Sequence, residues 1–363
     1  MGPVKTKTGH FPNGAAGEKT KVQAEMLFNR LRKRQRHLKK WARRIGTDAY
    51  RLYDRDIPEI PLLIDYYGGA LAGALFKRPY EKAEDEEERW LIAMKAAASR
   101  ALDIPGEYIF FRERRRIRFR GEGGGQYERQ GTAAFTRNIQ EGGLRFRVNL
   151  SDYLDTGFFP DRRRMRGMIR SEAAGKRSLN LFCYTASFSV CAAAGGAAEV
   201  DSVDMSNTYL NWGRENFALN GFNVPGSGLN AESGPDRSCI LAVHFSGKYE
   251  GIYRFIRADV FRFLEEARRR GRRWDQIILD PPVFSNSKRM SRILDLDRDH
   301  PRLIAQCAAL LAPGGKLWFS ARLRSGRIVL PDLPGLEREE LSASLEDEDF
   351  RGKRTPPCYT YTR

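Results

Sequence analysis

A chain of 363 residues is long enough for two domains of ordinary size, each with its own core. Its apolar content of 41% suits a soluble globular protein, but 63 Lys and Arg stand against 46 Asp and Glu, and an excess of arginine at a net charge of +17 points to phosphate and so to nucleic acid. No long apolar run, signal peptide or lipidation motif is evident, so a membrane-spanning or secreted protein is not expected, and five scattered cysteines (Cys183, Cys191, Cys239, Cys307, Cys358) without a C-x-x-C pair argue for a reduced cytoplasm and against a zinc site.

Residues 1–20, rich in Gly, Lys and Thr, are expected to form a disordered tail. From Val22 to Arg44 the spacing of Leu27, Leu31, Leu38 and Trp41 predicts an amphipathic helix. Its other faces carry Arg30, Arg32, Lys33, Arg34, Arg36, Lys39, Lys40, Arg43 and Arg44 with no carboxylate among them. A solvated face needs less charge than that, so phosphate contact is expected, with Arg30, Arg34 and Lys40 as representative contacts. Strand-like pieces follow at Ala49–Tyr53 and Leu62–Tyr67, then Gly68-Gly69 and an apolar run to Phe76. Glu81–Leu102 reads as a helix with carboxylates in its first turns. In Arg112–Arg120, Ile117 and Phe119 alternate with arginines, which predicts a strand with one basic face; Arg114, Arg115, Arg116 and Arg118 are candidate nucleic-acid contacts. A hairpin is expected with its turn at Glu141-Gly142-Gly143.

From Ser178 onward strands and helices alternate, which requires a doubly wound, mostly parallel sheet. The expected strands are Leu179–Phe182, Val200–Val203, Tyr253–Ala258, Gln276–Leu279 and Lys316–Ser320. The chain thus divides into a tail (1–20), a basic α+β RNA-binding domain (21–125), a hairpin and connecting segment (126–177) and an α/β domain (178–363).

Three consecutive strands of the α/β domain run out into Asp204, Asp259 and Asp280, at the sheet edge where ligands bind in such folds. An acid after the second strand commonly bonds a ribose diol. After the first strand the sequence is Asn180-Leu181-Phe182-Cys183-Tyr184-Thr185-Ala186-Ser187, without the glycines that a pyrophosphate requires. S-adenosylmethionine, which has a ribose and an adenine but no phosphate, fits that combination. The fourth strand ends in Asp280-Pro281-Pro282-Val283-Phe284. Two prolines stop the strand and hold the turn rigid, and Phe284 offers a stacking face to a flat base; the plainer reading is a turn that only ends a strand.

Asn180–Ser187, Val203-Asp204-Met205-Ser206, Asp280–Met290 with its Ser287-Lys288-Arg289, and upstream Phe28–Leu31, Lys40–Arg44 and Tyr50–Asp54 together resemble the RlmK-type large-subunit rRNA methyltransferases. The likeness includes Asp152–Gly157 with Phe159, Asp161 and Arg163, and covers nearly the whole chain from about residue 24. It implies a seven-stranded class I methyltransferase sheet whose final strand, here Cys358–Thr362, runs antiparallel. It implies S-adenosylmethionine as cofactor, held by Phe159, Asp161, Arg163, Asn180, Phe182, Tyr184, Thr185, Ser187, Asp204, Met205, Ser206, Asp259 and Asp280. Guanine would lie against Asp280, Pro281, Pro282 and Phe284, with Ser287, Lys288 and Arg289 toward the RNA. The implied reaction is methyl transfer to guanine N7 in 23S rRNA, free or in an assembling subunit, by a cytoplasmic monomer with neither metal nor membrane partner.

The chain departs from the family pattern at Ala186, where glycine is usual, and at Ala321-Arg322-Leu323-Arg324 after the fifth strand, where Asn-Asn-Lys is usual; the loop from Pro225 to Gly251 is long. Besides an exocyclic-amine methyltransferase, whose usual turn has an aromatic residue where this chain has Val283 and Phe284 comes one residue later, two rival functions remain open. A cytosine-C5 methyltransferase needs a cysteine thiolate, and none lies within Asp280–Lys288. A non-catalytic RNA-binding or assembly protein on a decayed methyltransferase fold is the other.

Overall fold

The computed structural model describes residues 15–76, 83–113, 135–153, 155–222, 239–245, 251–285, 293–353 and 355–363. The chain forms two compact units: Met1–Phe135 with Leu150–Asp155, and Thr136–Asn149 with Thr156–Arg363.

In the first unit, helix α1 (Ala15–Ile45) buries Leu27, Leu31, Leu38 and Trp41, the predicted stripe. It begins inside the stretch expected to be a disordered tail. Strands β1 (Ala49–Asp54), β2 (Leu62–Tyr67) and β3 (Ala70–Leu75) form an antiparallel meander. Gly68 and Gly69, both at positive φ, make the tight turn from β2 to β3, as a two-residue hairpin requires. Helix α2 (Glu84–Leu102) then crosses over, so β4 (Ile109–Glu113) pairs parallel to β3. Between the two helices Trp90 donates its indole N–H to Gln23 at 2.6 Å.

The second unit opens with the hairpin β5 (Thr136–Glu141) and β6 (Leu144–Asn149), turned by Gly142-Gly143 as predicted. After α3 (Arg163–Ser171) come β7 (Arg177–Leu181), α4 (Ser187–Ala194), β8 (Glu199–Asp204) and α5 (Asn207–Leu219). Then follow β9 (Cys239–Phe245), β10 (Gly251–Arg257), α6 (Val260–Arg269), β11 (Trp274–Leu279), the two-residue strands β12 (Phe284–Ser285) and β13 (Leu294–Asp295), and α7 (Leu296–Ala308). The chain closes with β14 (Leu311–Ser320), β15 (Glu337–Glu340) and β16 (Cys358–Thr362).

The main sheet has the order β15-β16-β14-β11-β7-β8-β10-β9. Strands β14, β11, β7, β8 and β10 are parallel, and β16 runs antiparallel to β14, as expected for the last strand. Among the described residues the sheet has eight strands rather than the expected seven. The extra one is β9, antiparallel to β10 at the edge, and it comes from the long segment expected to be loop. Strand order reverses between β7 and β11, which makes their carboxyl ends the topological switch point.

Alternation along the strands gives the sheet two different faces. Leu179, Leu181, Val203, Ile277 and Leu279 join Val260, Leu264, Leu303 and Ile304 in one apolar core. On the other face Ser178, Asn180, Ser202 and Gln276 are buried and hydrogen-bonded, Ser178 to Gln276 at 2.9 Å and both Asn180 and Ser202 to Ser189 of α4. No helix among the described residues is long and apolar enough to cross a membrane.

Candidate active site at the carboxyl ends of the sheet

Asp204 ends β8 beside the turn that follows β7. One carboxylate oxygen accepts the Tyr184 N–H at 3.0 Å and the other the Ser206 N–H at 2.9 Å. Burial pushes its carboxyl up to about 6, although the backbone donors pull it the other way. The Met205 backbone also donates toward this carboxyl, and of the about four acceptor sites of a carboxylate at least one stays open for a ribose hydroxyl. Ser206 also caps α5, accepting from Tyr209 N–H.

The turn itself is bent sharply, with Phe182, Tyr184 and Ala186 all at positive φ (53°, 52° and 59°). None is glycine, and such a conformation costs a side-chain-bearing residue about 1–2 kcal/mol. Tertiary contacts hold it. Thr185 Oγ1 donates to Gly157 O at 2.6 Å, and Asn216 Nδ2 donates to Thr185 O at 2.9 Å. Gly157, at φ 89°, lies so close to the Trp212 ring that a β-carbon there would come within 2.3 Å of it. The Tyr184 ring lies 5.5 Å from that of the exposed Phe159 and 4.5 Å from that of Tyr209, which makes an aromatic wall beside Asp204.

At the end of β11, Asp280 is gripped by Arg162. Nε and Nη2 of the guanidinium donate to its two oxygens at 2.9 and 2.8 Å, and Nη1 donates to Asp161 at 3.2 Å. Burial alone would lower the Arg162 guanidinium, but Asp280 and Asp161 hold it above its ordinary range. Past the two prolines, Phe284 is 38% exposed, and the Arg324 guanidinium lies 5.8 Å from its ring centroid.

Of the expected site residues, Tyr184, Asp204 and Ser206 are joined by hydrogen bonds, Phe159 joins them through its ring, and Asp161 and Asp280 share Arg162. Met205 accepts from Arg257 through its carbonyl, and Ser187 is the first residue of α4. Asp259 is buried and caps α6, accepting from Phe261 and Arg262 N–H. Two expected contacts do not fit. Arg163 turns inward and is committed to Asp347 at 2.8 Å, Asp349 at 3.0 Å and Glu141 at 3.3 Å. Asn180 lies within β7 and faces α4 rather than the strand end, fully buried against Ser189. Among the expected RNA contacts, Arg30 is paired with Asp56 at 2.8 Å and Arg34 donates to Leu52 O, whereas Lys40 is exposed. Arg114, Arg115, Arg116, Arg118, Ser287, Lys288 and Arg289 lie outside the described residues.

Sequence reasoning missed Arg162. The signal was the helical period of α3, which buries Arg163 and Arg166 on one face and leaves Arg162, just ahead of the helix, to reach the strand end. Arg166 anchors this region by holding Glu141 at 2.7 and 3.0 Å and Phe159 O at 3.0 Å.

A nucleoside with a ribose diol and no phosphate suits this site: Asp204 as diol acceptor, the wall of Phe159, Tyr184 and Tyr209 for apolar contact, and no glycine cradle in the turn. A family model for S-adenosylmethionine-dependent methyltransferases matches residues 51–232. Ribosomal RNA large subunit methyltransferase K of Neisseria meningitidis is 41% identical over 91% of this chain and 85% of its own length. Ribosomal RNA large subunit methyltransferase K/L of Hahella chejuensis is 38% identical over 97% of this chain, which spans only 45% of that longer protein. Among solved structures, SMU.776, described as a methyltransferase and crystallised with SAH, matches with a TM-score of 0.64 at 23% identity, over 94% of this chain and 82% of its own. Fold, strand-end acids and sequence likeness agree, and the chain belongs to the S-adenosylmethionine-dependent methyltransferase family.

Proposed function

We propose that this protein transfers a methyl group from S-adenosylmethionine to N7 of a guanine in large-subunit ribosomal RNA, in the cytoplasm. The RNA class follows the names of the K and K/L relatives. The choice of atom is supported by one observation, the two-pronged ion pair between Arg162 and Asp280.

Bound S-adenosylmethionine supplies a methyl group on a cationic sulfur. Asp280 is the acid nearest the expected acceptor, and its charge is engaged by the guanidinium, which donates to both its oxygens. Accepting a substrate proton there would take from the Arg162 guanidinium the closer of its two carboxylate partners and leave it only Asp161, which is costly in a largely buried site. Guanine N7 asks for no such acceptor, because its lone pair lies in the ring plane with no proton to remove before attack. Positioning is then the main requirement, and the rigid Asp280-Pro281-Pro282 turn with the exposed Phe284 ring meets it.

The cysteines support the same choice over cytosine C5. Burial pushes the Cys191 and Cys358 thiols up to about 12 and raises those of Cys183 and Cys307 as well, so none of the four is poised as a thiolate. We assign the grip on RNA to the first unit, where Arg32, Lys33, Arg36, Lys39, Lys40, Arg43 and Arg44 are exposed on α1. Nucleoside mass spectrometry of rRNA from cells with and without the gene tests the reading. Loss of 7-methylguanosine is expected; loss of 5-methylcytidine alone would overturn it.

A further inference from the structure

On the acceptor side of the site, three residues far apart in sequence form one cluster. Phe284 of β12 pairs across the short ribbon with Asp295 of β13. The Arg324 guanidinium lies over the Phe284 ring and donates from Nη2 to Asp295 Oδ2 at 2.6 Å. The backbone beneath Arg324 is fixed, because the N–H groups of Arg324 and Ser325 both donate to Asp297 at 3.1 and 2.9 Å. Half of the Arg324 side chain is nevertheless exposed. Asp295 also carries an unexplained atom: its Oδ1 is buried and accepts no hydrogen bond among the described residues. Buried polar atoms without partners are rare and ask for a reason. Helix capping is not the reason, since the Asp295 side chain caps nothing at the start of α7.

Resting on the guanine reading above, we infer that Arg324 and Asp295 read the Watson–Crick edge of the acceptor base while Phe284 stacks on its face. A guanidinium only donates and a carboxylate only accepts. Side by side they match guanine, which presents the O6 acceptor next to the N1–H and N2–H donors. Adenine presents the reverse, an amine donor at position 6 and an acceptor at N1, and meets donor with donor. Reading that edge leaves N7, on the far side of O6, uncovered for the methyl group. The base would meet Asp295 through Oδ2, the oxygen that already accepts from Arg324, since Oδ1 is closed to solvent.

The test uses the full-length protein with rRNA from cells lacking the gene, comparing wild type, Arg324→Ala, Arg324→Lys and Asp295→Asn. Methyl-transfer kinetics, S-adenosylmethionine affinity by calorimetry, melting temperature and the identity of the methylated nucleoside are read together. Arg324→Ala and Asp295→Asn should each lower kcat/KM by about 10- to 100-fold, the usual discrimination of a paired side-chain contact to a base edge. Cofactor affinity and melting temperature should stay at the wild-type value, and Arg324→Lys, which keeps a donor, should recover part of the loss. Wild-type kcat/KM in both variants, with 7-methylguanosine still the product, would overturn the inference and leave the guanine reading standing. A loss matched by lower cofactor affinity or melting temperature would also overturn it, as a structural role. A wild-type product other than 7-methylguanosine would remove the guanine reading first and this inference with it.

Discussion

Gly213 on α5 lies directly against the methyl group of Ala186: a β-carbon on Gly213 would come within 2.8 Å of the Ala186 β-carbon. Ala186 is held at φ 59°, a conformation that suits glycine, and α5 gives up its own side chain to accommodate it. Ala186→Gly should therefore stabilise the protein by about 0.5–1 kcal/mol, since the strain removed outweighs the added freedom of the unfolded chain. Gly213→Ala should destabilise by about 1–3 kcal/mol through overpacking, and less so when Ala186 is glycine. Urea melts of the two single variants and the double variant measure this coupling. Additive effects would show that the two residues do not share the strain.

The carboxyl of Asp204 titrates near 6 because burial disfavours its charged form. A carboxyl whose folded value lies above its unfolded one favours the fold below pH 4, and that contribution is lost as pH rises through about 6. Ribose hydroxyls donate to the charged form, so cofactor binding should run the opposite way and tighten with rising pH. From pH 6 to pH 5 the affinity should fall by up to about tenfold, one proton being taken up in competition with binding. Calorimetry across pH 5–8 reads the slope. Asp204→Asn should bind weakly with no such slope, and a slope that persisted in that variant would assign the titration to another group.

Removing Arg162 leaves Asp280 without the guanidinium that grips both its oxygens. Arg162→Met should cost about 2–4 kcal/mol, below the range for a fully buried pair because some solvent reaches this one. Methyl transfer should drop more than cofactor affinity does, since the Tyr184 and Ser206 hydrogen bonds to Asp204 remain. The double variant Arg162→Met with Asp280→Asn should regain stability without regaining activity. Denaturant melts and single-turnover rates separate the two effects.

The exposed basic face of α1 should act through counterion release. Replacing Lys39, Lys40 and Arg43 with glutamine should weaken RNA binding and flatten the dependence of log K on log salt by about 0.7 for each single-stranded phosphate that is no longer neutralised. S-adenosylmethionine affinity should not change. An unaltered salt slope would place RNA binding on other residues.

The strand ends were legible because buried strands leave a simple trace: apolar runs that stop at an acid. Asp204, Asp259 and Asp280 were found in that way, and the hairpin by its paired glycines. The roles were harder to read than the positions. Asp259 occupies the predicted strand end, yet its carboxylate caps α6, and an N-cap and a ligand-binding acid look alike in sequence. Arg162 and Arg163 are adjacent, and only the facing of α3 separates the one that reaches Asp280 from the one sunk among Asp347, Asp349 and Glu141. Arg324 and Phe284 meet because β11 and β14 are neighbours, a pairing of distant segments that no local pattern encodes. Strand β9 hid in a segment whose length and composition suggested loop.

The hairpin of β5 and β6 belongs to the second unit, but the chain on either side of it, up to Phe135 and from Leu150 to Asp155, belongs to the first. During synthesis the hairpin therefore emerges before the first unit is complete and well before its own partners exist. Its backbone at Arg147 donates to Asn216 and accepts from Trp212, and at Arg145 it exchanges hydrogen bonds with Asn220, all on or just after α5. Until α5 is made, those backbone groups have only water. A nascent chain is thus exposed between residues 136 and 220 to mispairing of a bare two-stranded ribbon, and a proteolytic cut anywhere within 136–149 would damage the catalytic unit while appearing, from position alone, to fall between domains.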